Sequence, residues 1–150
     1  MLTYNLIFGG WRLSVGRRLA YSGRLFRIAF ARDREGAYPA EEFFDQLAIG
    51  DKAKLGNLFR ILGDLGKHNN DQKFGDLGDG LYEFKSFQIR MPFAYAKNDR
   101  RLILITHGFR KKKDKAPPGE IARARRILEE DFEASKVFVI TDQKQKRKRS

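Results

Sequence analysis

Runs of apolar residues with polar punctuation mark out most of the elements of this chain. Leu25-Phe26-Arg27-Ile28-Ala29-Phe30 is a compact β-prone run, and Phe26, Ile28 and Phe30 share one face of the strand it predicts. Arg32 to Gly36 is a charged turn. Pro39 suits the first turn of a helix, followed by Glu41 and Glu42 where the helix dipole favours acids. Phe43, Phe44 and Leu47 give that helix an apolar side, and Gly50 is placed to end it. Asp51 can cap a second helix, in which Leu55, Leu58, Phe59, Leu62 and Leu65 fall on one stripe at spacings of three and four. Gly66 is its stop.

The next stretch, residues 67–80, is polar and Gly-rich and predicts a loop. It has neither the Gly-Lys-Ser/Thr ending of a phosphate loop nor the alternating acids of a calcium loop, which leaves ordinary turn chemistry. Strands are predicted at about 81–86, 88–95 and 101–107, with Lys97-Asn98-Asp99-Arg100 as a polar turn between the last two. Leu102 to Ile105 is apolar at every position, as in a strand covered on both faces. Pro92 lacks the amide that a ladder needs, so its strand should bulge there or lie at an edge. After Pro117-Pro118, Ile121, Ala124, Leu128 and Phe132 mark a third helix. Its acidic end, Glu129-Glu130-Asp131, opposes the dipole and predicts fraying. Val137 to Ile140 adds a short strand, and Gln143 to Ser150 a solvated basic tail. The resulting fold class is α+β: strand, helix, helix, then a three-stranded antiparallel meander and a C-terminal helix. Residues 1–24 read as an N-terminal extension without sustained periodicity, residues 25–140 as the domain, and residues 141–150 as the tail.

Composition narrows the class. A chain of 150 residues with 13 Phe can bury one real core. No apolar run approaches the roughly 18–20 residues that span a bilayer. The first residues place their charges after the apolar stretch, the wrong order for a signal peptide. With no Cys, disulfides, thiolate ligands and a Cys nucleophile are excluded. These features together predict a cytoplasmic protein. Charge changes the picture most. The formal net charge is +12, and residues 80–150 carry 19 of the 31 Lys and Arg. Arg110-Lys111-Lys112-Lys113-Asp114-Lys115 follows the end of an apolar strand, where like charges repel and a polyanionic partner offsets the repulsion.

The stretch from Leu81 to Ala124 carries a recognisable order of residues. It runs Leu81-Tyr82-Glu83-Phe84-Lys85, then Arg90 on a strand, then Leu102 to Ile105 leading into His107-Gly108-Phe109. Lys111-Lys112, Lys115, Pro117 and Glu120-Ile121 with Ala124 complete it. This order, with Pro39, Phe43 and Phe44 upstream, resembles the RelE/HigB superfamily of toxins from bacterial toxin–antitoxin pairs, particularly its phage-derived HigB-like branch. The resemblance covers about residues 25–133. Departures are Lys85 where Arg is usual, Pro92 in the Arg-bearing strand, Lys113 and Ala116 where small hydroxyl residues are common, and the unmatched N-terminal arm. Lys85 keeps the charge but loses the bidentate fork.

The resemblance implies a RelE-like domain over residues 25–140. It implies an endoribonuclease that cuts mRNA on the translating ribosome without a metal or other cofactor, held inactive by an antitoxin with a helix-turn-helix DNA-binding domain. Such chemistry uses the ribose 2′-OH as nucleophile, so the protein must orient the chain, neutralise the phosphorane-like transition state and move protons. Arg90 suits a bidentate phosphate clamp, and Lys111 and Lys112 can stabilise the same phosphate. His107 is the general acid or base by intrinsic pKa, or else a strand-end His hydrogen-bonded to backbone. Tyr82 either stacks a base or packs in the core. Lys85, Arg110, Lys113, Lys115 and Arg123 are the expected contacts to RNA and ribosome. The rivals are a toxin of the same superfamily that poisons DNA gyrase and a basic accessory protein that only binds nucleic acid.

Overall fold

The computed structural model describes residues 17–66, 69–112 and 118–149, with side chains as far as Lys136. Two short strands, β1 (Leu19–Ser22) and β2 (Arg27–Phe30), lead into helices α1 (Pro39–Asp45) and α2 (Ile49–Leu65). An antiparallel run follows: β3 (Phe74–Gly78), β4 (Leu81–Ser86), β5 (Ile89–Ala96) and β6 (Asp99–Ile105). The two-residue strand β7 (Phe109–Arg110) and the long helix α3 (Pro118–Arg149) complete it. The sheet order is β1-β2-β6-β5-β4-β3, with β7 paired to β5. The class is α+β as expected, but the sheet is larger than a three-stranded meander, and β2 lies parallel to β6.

Parity along each strand sorts the core into two layers. Ile28, Phe30, Phe84, Phe93, Ile103 and Ile105 face α1 and α2, where they meet Leu55, Leu58, Phe59 and Leu62. Ala29, Ala31, Leu102 and Leu104 face the other way, against Ile127 of α3, and Leu81 and Ala94 meet Ala124. The all-apolar run Leu102 to Ile105 is thus covered on both faces, as its pattern required.

Several boundaries differ from expectation, each for a physical reason. Leu19–Ser22, inside the stretch expected as an arm, pairs with β2, and the Tyr21 hydroxyl donates to Asp64 of α2 at 2.7 Å. Helix α1 stops at Asp45 because the amides of Gln46 and Leu47 turn back onto the carbonyls of Phe43 and Phe44. Gly50 and Asp51 therefore lie in the first turn of α2 rather than ending one helix and capping the next; the N-cap is Ala48, without a side-chain cap. Leu65 closes the stripe half-exposed at 49%, past the covered part of the sheet, whereas Gly66 takes the expected left-handed C-cap. Strand β3 occupies part of the expected loop. Its turn to β4 is Asp79-Gly80, both at positive φ, the geometry a two-residue hairpin demands.

Helix α3 does not fray at its acids. The Asp131 carboxylate accepts from Arg17 at 2.6 Å and from the Arg32 amide at 2.9 Å, and Glu130 accepts from the Arg34 amide at 2.8 Å. These acids hold the β2–α1 loop against the middle of the helix. The strand expected at 137–140 is instead continuous helix. Propagating an existing helix is easier than nucleating an isolated strand, even through β-branched residues.

Pro92 sits in the middle of β5, a central strand, and its position explains itself. Its carbonyl accepts the Thr106 amide at 2.9 Å. Amide and carbonyl of one residue point to the same side of a strand, so the missing N–H faces the same neighbour. That neighbour is the seam at Thr106-His107-Gly108, where β6 ends before β7 resumes pairing with Ile89 and Arg90. The break in pairing falls where no donor exists.

Candidate anion-binding site on the open face of the sheet

One face of β4, β5 and β7 extends beyond the apolar contacts of α3, and the charged residues gather there. Glu83 and Lys85 share that face of β4. Lys85 is the cross-strand partner of Arg90, and Arg90 is paired in turn with Phe109. Beyond β7 the ladder continues, since the Lys111 amide donates to the Gln88 carbonyl at 2.7 Å. Alternation therefore puts Lys111 on the same face as Phe109 and Arg90, and turns Arg110 to the opposite face. Lys112 is exposed beyond the strand. Lys113 and Lys115 lie outside the described residues. Of the Arg110 to Lys112 cations, one is aimed at Arg90.

At the centre of the cluster lies Glu83, only 5% exposed, a residue to which sequence reasoning gave no role. Burial pushes its carboxyl above the ordinary value, opposed in part by the charges of Arg90, Lys111 and Lys85. The carboxylate is 3.8 Å from the Arg90 Nε. Its Oε1 has no hydrogen-bond partner, and neither has the Arg90 Nε. Gly75 lies directly across from Glu83 on β3, where a Cβ would come within 2.9 Å of the carboxylate, and Pro92 lies across on β5. The two neighbours leave the acid a slot without another polar side chain from its cross-strand pairs. The signal in the sequence was an acid at an apolar-flanked strand position, in phase with Lys85.

Arg90 is folded back on its own hairpin. Its Nη1 donates to the carbonyls of Phe87 at 2.6 Å and Ile89 at 2.9 Å. Those are neutral acceptors, which an anionic phosphate oxygen outcompetes as a charge-assisted partner.

His107 is built into the structure rather than presented. It is 1% exposed, stacks on Phe109 with ring centroids 5.6 Å apart, and makes two side-chain contacts. Nδ1 lies 2.9 Å from the Thr106 hydroxyl and Nε2 lies 3.2 Å from the Glu120 carboxylate of α3. Burial, with the nearby charges of Arg123 and Arg126, pulls its pKa down to about 4. The imidazole is therefore neutral at pH 7. With the proton on Nε2, His107 donates to the Glu120 carboxylate and Nδ1 accepts from the Thr106 hydroxyl. Gly108 beside it is fixed by packing: a Cβ there would collide with the Phe43 ring of α1. The His-Gly-Phe run thus clamps α1 on one side and α3 on the other. Arg123 is exposed on α3 near this contact. Tyr82 packs against the core and stacks on Phe93 at 5.6 Å, as the core reading of it required.

Among the described residues no three His, Asp or Glu side chains are grouped to hold a metal ion, and no helix is long and apolar enough to cross a membrane. Residues 42–129 match the profile of a family described as Phage derived protein Gp49-like (DUF891), known for toxin–antitoxin toxins of the HigB-like and RelE-like kind. No curated protein sequence matches the chain. The matched span runs from α1 into α3 and contains Glu83, Lys85, Arg90, His107 and Lys111.

Proposed function

The chain belongs to the phage-derived Gp49-like family, and from that premise we propose that it is the toxin of a toxin–antitoxin pair and a metal-independent endoribonuclease. It cuts mRNA on the ribosome and so inhibits translation. The observation that carries this reading is the convergence of Arg90, Lys85 and Lys111 around one desolvated carboxylate on a rigid sheet face. A phosphoryl transfer from a 2′-OH needs a phosphate clamp, a proton acceptor and a proton donor at adjacent positions.

Arg90 leaves the hairpin carbonyls and binds the scissile phosphate through two parallel N–H donors. That movement uncovers Glu83, whose unpartnered Oε1 takes the proton of the 2′-OH as its oxygen attacks phosphorus. A carboxyl with a raised pKa is a better base at neutral pH than an ordinary one. Lys111 neutralises the phosphorane and gives a proton to the departing 5′-oxygen. The products are a 2′,3′-cyclic phosphate and a 5′-OH. Lys85, Arg110, Lys112, Lys113, Lys115 and Arg123 serve the RNA and ribosome backbone. His107 acts as a positioning residue: neutral and buried, it ties Glu120 of α3 to the seam that leads into Lys111. The antitoxin, carrying a helix-turn-helix domain, covers this basic face.

The test is to express the protein and map mRNA 5′ ends in translated frames. In-frame cuts with 5′-OH ends are expected. Glu83→Gln should slow them about 10²–10⁴-fold, and Arg90→Ala about 10²–10³-fold. Growth arrest with intact mRNA and with DNA damage would instead identify a gyrase poison.

A further inference from the structure

The β4–β5 hairpin ends in a two-residue turn, Phe87-Gln88, between the paired residues Ser86 and Ile89. Phe87 there takes φ +54°, in the left-handed region that a bulky side chain avoids. The residue is also 75% exposed. An aromatic that is both strained and bare in water weakens the fold twice over, and Gly or Asn at this position would remove both faults. Strain of this kind, held by its surroundings, marks a site of use. The surroundings here are cationic. The Lys54 ammonium of α2 stands 4.1 Å from the ring centroid on one side. The Phe87 carbonyl is the acceptor gripped by Arg90, and the Gln88 carbonyl takes the amide of Lys111. The hairpin tip is therefore joined by hydrogen bonds to both residues assigned to the phosphate.

We propose that Phe87 is a stacking platform for an unpaired RNA base adjoining the phosphate bound by Arg90, and so helps to select the site of cleavage. This rests on the nuclease reading above. The ring offers one face to a base while Lys54 backs the other, an arrangement suited to single-stranded nucleic acid, in which every base has a π-face and every nucleotide a charge. An apolar anchor for a protein partner would be better served without a cation stacked on it and two more at its backbone. As Arg90 exchanges the Phe87 carbonyl for a phosphate, the turn is released at the moment a base arrives.

The experiment measures binding of fluorescent 2′-O-methyl RNA decamers, which cannot be cut, alongside an abasic decamer of equal charge. The wild-type protein should bind the base-bearing strand about 5- to 100-fold more tightly than the abasic one, the range expected for one stacked base. Phe87→Gly should bind both strands alike, with an unchanged salt dependence and with thermal stability equal to or above wild type. Phe87→Tyr should restore the preference. A structural role would instead lower the stability of Phe87→Gly and leave the base preference intact. Retained preference in Phe87→Gly, or no preference in wild type, overturns the platform. If that indifferent binding still depends on Arg90 and Lys111, the nuclease reading survives it. If no strand is bound at all, both fall. Loss of a co-expressed antitoxin in Phe87→Gly, with base preference unchanged, would assign the ring to the protein interface and also overturn the proposal.

Discussion

The two faces of the sheet are made by the same strands and differ in almost every respect. On the α1–α2 face, Phe84 lies 4.4 Å from Phe93 and 4.9 Å from Phe59, and Phe59 lies 5.6 Å from Phe44, ring centroid to centroid. Rings continue to Phe30 and Phe74. On the α3 face the corresponding layer is small: Ala29, Ala31, Ala94 and Ala124 with a few larger residues. Farther along, the same face carries Glu83, Lys85 and Arg90. Aromatic packing and charge are thus separated by strand parity: even positions of β4 supply the aromatic core, and the odd positions Glu83 and Lys85 the charged cluster. A residue moved by one position would exchange the roles.

This contrast can be broken from either side. The largest effect should come from the aromatic face. Phe84→Ala removes a fully buried ring and is expected to lower stability by about 3–5 kcal/mol, measured by urea denaturation. A loss below about 1 kcal/mol would mean that the ring cluster is not the main core.

Acid should loosen the other face next. His107 has a folded pKa of about 4 against an ordinary 6.5. Between those values the unfolded chain binds the proton and the folded chain does not, so stability is full above about pH 6.5 and falls toward pH 4. The expected loss is roughly 2–3 kcal/mol. Glu83 works in the opposite sense, since its raised pKa lets the fold gain stability as the acid is protonated. Thermal melts of wild type and His107→Gln between pH 4 and 7 check this, with the variant showing the smaller decline.

The smallest effect on stability belongs to the site itself. Glu83→Gln removes a desolvated charge but leaves Arg90 in place, so stability should change by no more than about 1 kcal/mol in urea. The same substitution should stop most cleavage. A fold that collapses on this change would make Glu83 part of the core.

Much of the frame was legible because it rests on local rules. The stripe from Leu55 to Leu62, the Gly66 stop, the Pro39 start and the doubly covered Leu102 to Ile105 each follow from periodicity or backbone chemistry. Strand β3 was hidden by its glycines, although Asp79-Gly80 is a hairpin signal in its own right. Helix α3 was cut short because Glu129 to Asp131 oppose a helix end only if the helix ends there. Their partners, Arg17, Arg32 and Arg34, lie about a hundred residues earlier. Arg90 and Lys111 entered as candidates through the family resemblance and the cation cluster, whereas Glu83 drew notice only once the strands were seen side by side.

By itself the sequence determined the mixed class, the two central helices, the strands β2, β4, β5 and β6, and the cationic character of one end of the sheet, because periodicity, turn residues and net charge act over a few positions. Only the tertiary structure decided which charges meet. It turned Lys111 toward Arg90 and Arg110 away, buried Glu83 between Gly75 and Pro92, and sealed His107 between Thr106 and Glu120. Those outcomes depend on register between strands distant in sequence and on desolvation. Both are set by packing rather than by any residue alone.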